Sequence, residues 1–199
     1  TYHLLMHISQ ERSMKCIFQL LLINILFLPT LNVYSATPAN QLIDAIISGE
    51  HNELRSLIAQ GIDINSKNQA GRTALMVGTF YGNKVMVKSL LASGADVNLK
   101  DNNNRTALID AAAFGFDEIV RLLITMGADL NAKTKSGKTA LTGAIAGDYQ
   151  VIVKMLIERK VDVNLADNLG NKPLDIAKRM KRKKISKLLK KAGAEESAE

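Results

Sequence analysis

The sequence predicts an all-α solenoid, a row of stacked helix–turn–helix units. Three observations predict it. Thr73-Ala74-Leu75, Thr106-Ala107-Leu108 and Thr139-Ala140-Leu141 recur every 33 residues, and Lys172-Pro173-Leu174 continues the series. Leu42, Leu75, Leu108, Leu141 and Leu174 hold one phase, and Leu57, Leu90, Leu123, Leu156 and Leu189 a second. Around the second phase apolar residues follow i, i+3, i+4 spacing, as in Val87, Leu90 and Leu91, which lays one apolar stripe on each short helix. Two short helices cannot bury such stripes alone, so neighbouring units must stack and share one core.

The 199 residues are 47% hydrophobic and 23% charged, which is too apolar for a disordered chain. A single Cys excludes a disulfide scaffold and a Cys-rich zinc site. The formal net charge of +7 is compatible with an acidic partner without identifying one.

Taken in order, the chain opens with an address. Residues 17 to 28 form an uncharged run of 12. That is short of the ~20 residues of a membrane-spanning helix but suits the apolar part of a secretory signal. Lys15 supplies the positive start, Pro29 ends the helix, and Val33-Tyr34-Ser35 fits cleavage after Ser35. Met14 makes a better start than Thr1, so 1–13 read as an upstream extension and 14–35 as the signal peptide. From Ala36 onward there is no Cys and one His, His51, so the remaining chain forms no disulfide in any compartment. The expected location is the periplasm of a Gram-negative bacterium, or outside the cell.

The repeat domain spans 36–195 in units of about 34–66, 67–99, 100–132, 133–165 and 166–195, followed by a tail at 196–199. Each Thr before Ala-Leu reads as a helix N-cap, its hydroxyl accepting from a free N–H of the first turn. Ala45, Gly78, Ala111, Ala144 and Ala177 keep one column small, so that helices approach closely. Gly82 and Gly115 break the chain before a second helix, and Gly61, Gly94 and Gly127 suit the left-handed position that ends it. The columns Asp63, Asp96, Asp129, Asp162 and Asn65, Asn98, Asn131, Asn164 favour turns. The outer units differ, as end caps should. The first places Asn40 at the cap position, and the fifth has a highly charged second helix.

The run Gly71-Arg72-Thr73-Ala74-Leu75, then Gly82, then Gly94-Ala95-Asp96-Val97-Asn98, resembles the ankyrin repeat, and the likeness covers 34–195. The chain resembles small exported bacterial members of that family. The resemblance implies non-catalytic protein binding on the concave face, with roles such as protecting or inhibiting a partner or helping against oxidative stress. The chain departs from the family box in two ways. Ala replaces Pro in three units, and Met76, Ile109, Thr142 and Asp175 replace its His, so lower stability than in a consensus array is expected. Lys160 stands where the left-handed Gly belongs, at a cost of ~1 kcal/mol.

Catalysis finds no site in the sequence. His51 is the one His left for a nucleophile–base pair, at a turn where an exposed polar residue is ordinary. The glycines obey the period, and Asp117-Glu118 suit a helix start. No catalytic residue, cofactor or metal ligand is assigned. Binding has better candidates. Arg72, Arg105 and Lys138 share one turn-tip column, and Lys67, Lys100 and Lys133 another, which would run a basic strip along the groove. Phe80, Tyr81 and Phe114 lie beside it at the ends of first helices. Arg and aromatics are enriched at interface hot spots. The expected partner is a protein with an acidic surface, and reversing Arg72, Arg105 and Lys138 to Glu is expected to abolish its capture without unfolding the array. A second candidate is the segment 178–191, with nine basic residues and no acidic one, while acidic and basic residues balance over 36–177. It reads either as a solvated cap helix packing Ile185, Leu188 and Leu189 inward, or as a contact for anionic lipid. Nucleic acid is not expected, because aromatics for base stacking are absent there. A monomer is expected.

Overall fold

A computed structural model describes residues 37–197. The upstream extension and signal peptide read from the sequence lie outside the described residues. Within them are ten helices and no strand. They pair as five units: α1 (Pro38–Ser48) with α2 (His51–Ala59), α3 (Ala74–Phe80) with α4 (Lys84–Ala92), α5 (Ala107–Phe114) with α6 (Asp117–Thr125), α7 (Ala140–Ala146) with α8 (Gln150–Glu158), and α9 (Pro173–Arg179) with α10 (Lys183–Lys191). The first helices α1, α3, α5, α7 and α9 pack side by side in one layer, and α4, α6, α8 and α10 line up behind them.

The apolar columns close as one continuous core. Leu42, Leu75, Leu108, Leu141 and Leu174 are buried, as are Leu57, Leu90, Leu123, Leu156 and Leu189. In α10, Ile185 and Leu189 are buried and Leu188 is half-buried, which is the inward packing its spacing predicts. The hydroxyls of Thr73, Thr106 and Thr139 accept from the N–H groups of Met76, Ile109 and Thr142 at 3.4, 3.4 and 3.2 Å. The first unit corrects the sequence reading. Its cap is Thr37, not Asn40, and the Asn40 N–H donates to the Thr37 hydroxyl at 3.3 Å. Pro38 follows at the first helical position, where its missing N–H costs nothing. Lys160 does adopt the left-handed conformation, at φ 61°.

Polar columns join the units. The Asn65 side-chain oxygen accepts from the Asp96 N–H at 2.8 Å. Asn98, Asn131 and Asn164 do the same for Asp129, Asp162 and Glu195, at 2.7, 2.9 and 2.7 Å. Each Asp in turn accepts from the N–H two residues on, as Asp96 does from Asn98 at 2.8 Å. A turn residue in one unit is thus a staple to the next.

A two-part groove on the inner face

The first helices and the turn tips between units form one face. Each tip is braced from within. The Asp101 side chain accepts from the N–H groups of Asn103 and Arg105, both at 2.8 Å, and Asn68, Thr134 and Asp167 occupy the same column and brace Arg72, Lys138 and Asn171. Neighbouring tips touch: the Asn102 N–H donates to the Ala70 carbonyl at 3.1 Å and the Lys135 N–H to the Asn103 carbonyl at 2.9 Å. The side chains at the tips are therefore carried on a fixed backbone.

The sequence treats Arg72, Arg105 and Lys138 as three equal cations; the structure separates them. Asp110 in α5, with a side chain only 2% exposed, stands between the two arginines. Arg72 Nη2 donates to its Oδ2 at 2.7 Å, and Arg105 Nε to its Oδ1 at 2.7 Å, with Arg105 Nη2 on the same oxygen. Arg72 also lies over the Phe80 ring, 4.9 Å from its centroid. A buried carboxylate needs such partners, and here one serves two units at once. Two charges of the expected strip are thereby engaged internally, and the proposed triple reversal would place two more carboxylates against Asp110 and disrupt the fold. Lys138 and Lys100 are exposed, Lys133 is half-buried, and Lys67 Nζ donates to the Lys100 carbonyl at 2.8 Å. The sequence reading does not single out Asp110. Its signal is that it interrupts an otherwise apolar helix, in a column that holds Val77, Gly143 and Ile176 in the other inner and C-terminal units and Asp44 in the first.

The aromatic candidates do come together. Phe80 meets Tyr81 and Phe114 edge to face, at centroid distances of 5.6 and 5.2 Å, and Phe114 lies 5.9 Å from Phe116. Tyr81 remains 58% exposed and Phe80 and Phe114 each 42%, so the cluster forms a ridge rather than a core. Beyond it the face drops. Where units two and three carry Phe80 and Phe114, the fourth carries Ala146 and Gly147. A hollow of about 350 Å³ opens there, floored by Ile109, Ala113, Gly143 and Ile176 and rimmed by Lys138 and Arg179. Gly143 allows it: a β-carbon there would lie 3.2 Å from that of Ala113, so α5 and α7 approach closely.

The remaining candidates fall elsewhere. His51 opens α2, is exposed, and its Nδ1 lies 2.9 Å from the Gly49 carbonyl. No described helix is long and apolar enough to cross a membrane. At the far end, Ser197 donates its hydroxyl to Asp175, which also accepts from the Lys172 N–H at 2.9 Å. Burial acts to raise the Asp175 pKa, but the Ser197 hydroxyl, the N–H groups of Lys172 and Ser197 and the Lys172 charge outweigh it and hold it below its ordinary value. Asp167 is held low in the same way: burial works against it, and bonds from Asn171 and Leu169 and the Arg179 charge prevail.

No curated protein matches the chain. The family model for ankyrin repeats in three copies matches at residues 4–101, 42–134 and 111–199. These matches overlap and together run over nearly the whole length, in agreement with the stacked helix pairs and their inter-unit staples: the chain belongs to the ankyrin-repeat family.

Proposed function

We propose that this chain is an exported binding module, acting in the periplasm or outside the cell, which holds a partner protein on its inner face, in keeping with the general role of ankyrin repeats as typically non-catalytic protein-interaction modules. The observation that carries this is the juxtaposition of an exposed aromatic ridge with a hollow of about 350 Å³ on a braced backbone. A rigid face with apolar relief loses little entropy on binding. Tyr81, Phe80 and Phe114 supply apolar contact, Lys100, Lys133 and Lys138 supply charge for an acidic partner, and Arg72 and Arg105 shape the ridge through Asp110. Residues 14–35 direct export, with cleavage after Ser35.

Affinity capture from the native envelope fraction tests the binding. The parent should retain a defined protein that the double variant Tyr81→Ala, Lys138→Glu loses, while helical content and melting temperature stay the same. Equal capture by both would overturn the assignment to this face. Export is tested separately, by sequencing the N-terminus of the protein recovered from the periplasm or medium. The reading requires a start at Ala36; a cytoplasmic chain retaining 14–35 would refute it.

A further inference from the structure

The two ends of the array carry opposite charge on the faces that stacking buries elsewhere. In the first unit Glu53 occupies the column of Met86, Ile119, Ile152 and Ile185, all of them buried, and Asp44 that of Val77, Asp110, Gly143 and Ile176, where all but the half-buried Gly143 are buried. Both are exposed, as is Glu50. In the fifth unit Lys178 stands in the column of Ile46, Thr79, Ala112 and Ile145, and Ser186 in that of Leu54, Val87, Val120 and Val153, again all buried. Lys178 pairs with Glu196 of its own tail, but Lys181, Lys183 and Lys187 make no ion pair among the described residues. A polar outer face is what any cap needs for solubility. Opposite signs on the two caps are not.

The register of the joints makes the contrast specific. At the three later junctions the turn after a first helix meets the residue 34 positions on. A β-carbon added to Gly82 would lie 2.9 Å from the Phe116 ring, the Tyr149 ring covers Gly115 in the same way, and Asp148 pairs with Arg182 at 3.7 Å. The last turn of this series is Lys181, with φ 58° like its counterpart Asp148 at 59°. The column that answers it runs Arg182, Tyr149, Phe116, Asn83 and, in the first unit, Glu50. A second copy stacked in continuing register would set its Glu50 over Lys181, the Asp148–Arg182 pair with its charges exchanged. A shallow hollow with charged edges lies on each of these faces. One of about 410 Å³ opens over Ala177 and Ser186, edged by Lys181, Lys183 and Lys187. Another of about 380 Å³ opens over Ala45, edged by Asp44, Glu50 and Glu53.

We infer that the acidic first unit of one copy docks on the basic fifth unit of another, extending the solenoid head to tail. Such an interface does not close on itself and gives open chains of copies rather than a fixed dimer. It departs from the monomer expected from the sequence, and it stands whether or not the inner face binds a partner. Because the paired charges are exposed, association should weaken as salt shortens the Debye length from about 30 Å at 0.01 M to about 3 Å at 1 M.

Sedimentation of the purified protein tests it. At low salt the weight-average mass should rise with concentration to about twice the monomer or more, and at about 1 M salt it should return to the monomer. The variants Glu50→Lys, Glu53→Lys and, separately, Lys181→Glu, Lys183→Glu should each stay monomeric at low salt. Mixed in equal amounts they should associate again, because each reversed end then faces its complement, and this recovery also shows both to be folded. A parent that stays monomeric at low salt, variants that associate like the parent, or a mixture that stays monomeric would each overturn the inference. So would a monomer that instead binds phosphatidylserine vesicles through Lys181 and Lys183, which would assign the basic segment 178–191 to lipid.

Discussion

The two halves of the inner face share one backbone and differ in relief. In units two and three the two columns at the end of the first helix hold Phe80-Tyr81 and Ala113-Phe114, and the column facing the groove holds Val77 and Asp110. The outcome is a ridge tied down by a carboxylate between two arginines. In unit four the same columns hold Ala146-Gly147 and Gly143, and the outcome is a hollow. The 33-residue frame therefore sets where a side chain stands, and the side chain's size and charge set what the surface becomes. The frame is generic to the family; the relief is particular to this chain.

The comparison can be broken most severely at Asp110. Asp110→Ala would leave two guanidinium groups over an apolar helix with no counter-charge, and should lower unfolding stability by about 3 kcal/mol in a denaturant titration. A loss below about 0.5 kcal/mol would place the pair among ordinary surface salt bridges. The hollow half breaks at Gly147, whose added β-carbon would enter the Tyr149 ring. Gly147→Ala should cost about 2 kcal/mol by overpacking, seen as a lower melting temperature. Lys160→Gly acts in the opposite direction, relieving a left-handed lysine outside both halves. It should raise stability by about 1 kcal/mol, and an unchanged or lowered melting temperature would contradict the strain.

The smallest expected effect sharpens the contrast between the last unit and the middle ones. Asp167 and Asp175 titrate below their ordinary values, so their stabilisation is complete above the ordinary carboxylate pKa of about 3.9 and is lost as pH falls through the lower folded values. Acid should therefore loosen the fifth unit and its Ser197 contact. Amide hydrogen exchange below about pH 4 should rise in 166–197 before it rises in 67–132. Simultaneous opening of all units would show that these two carboxylates do not hold the end.

Much of the fold is legible in the sequence because the apolar columns are redundant. Five leucines in one phase survive any single misreading, and Thr before Ala-Leu marks each helix start independently. The period alone misplaces the first start at Asn40 because the periodic box is missing there, although Thr37-Pro38 carries its own capping signal. The groove was half legible. Phase picks out Tyr81 and Phe114, and adjacency adds Phe80. The engagement of Arg72 escapes both, because its partner lies 38 residues away and belongs to another unit.

The sequence by itself determined the period, the paired helices and the stripe each one buries. Burial of an apolar stripe is non-directional, so spacing alone commits it. Only the tertiary structure decided what the polar columns do. It made Asn98 a bridge to the next unit, drew Arg72 and Arg105 onto Asp110, and left Lys138 free at the groove. The physical reason is that a hydrogen bond or a buried ion pair exists only where donor and acceptor meet within about 3 Å at the right angle, and that meeting is made when the units stack.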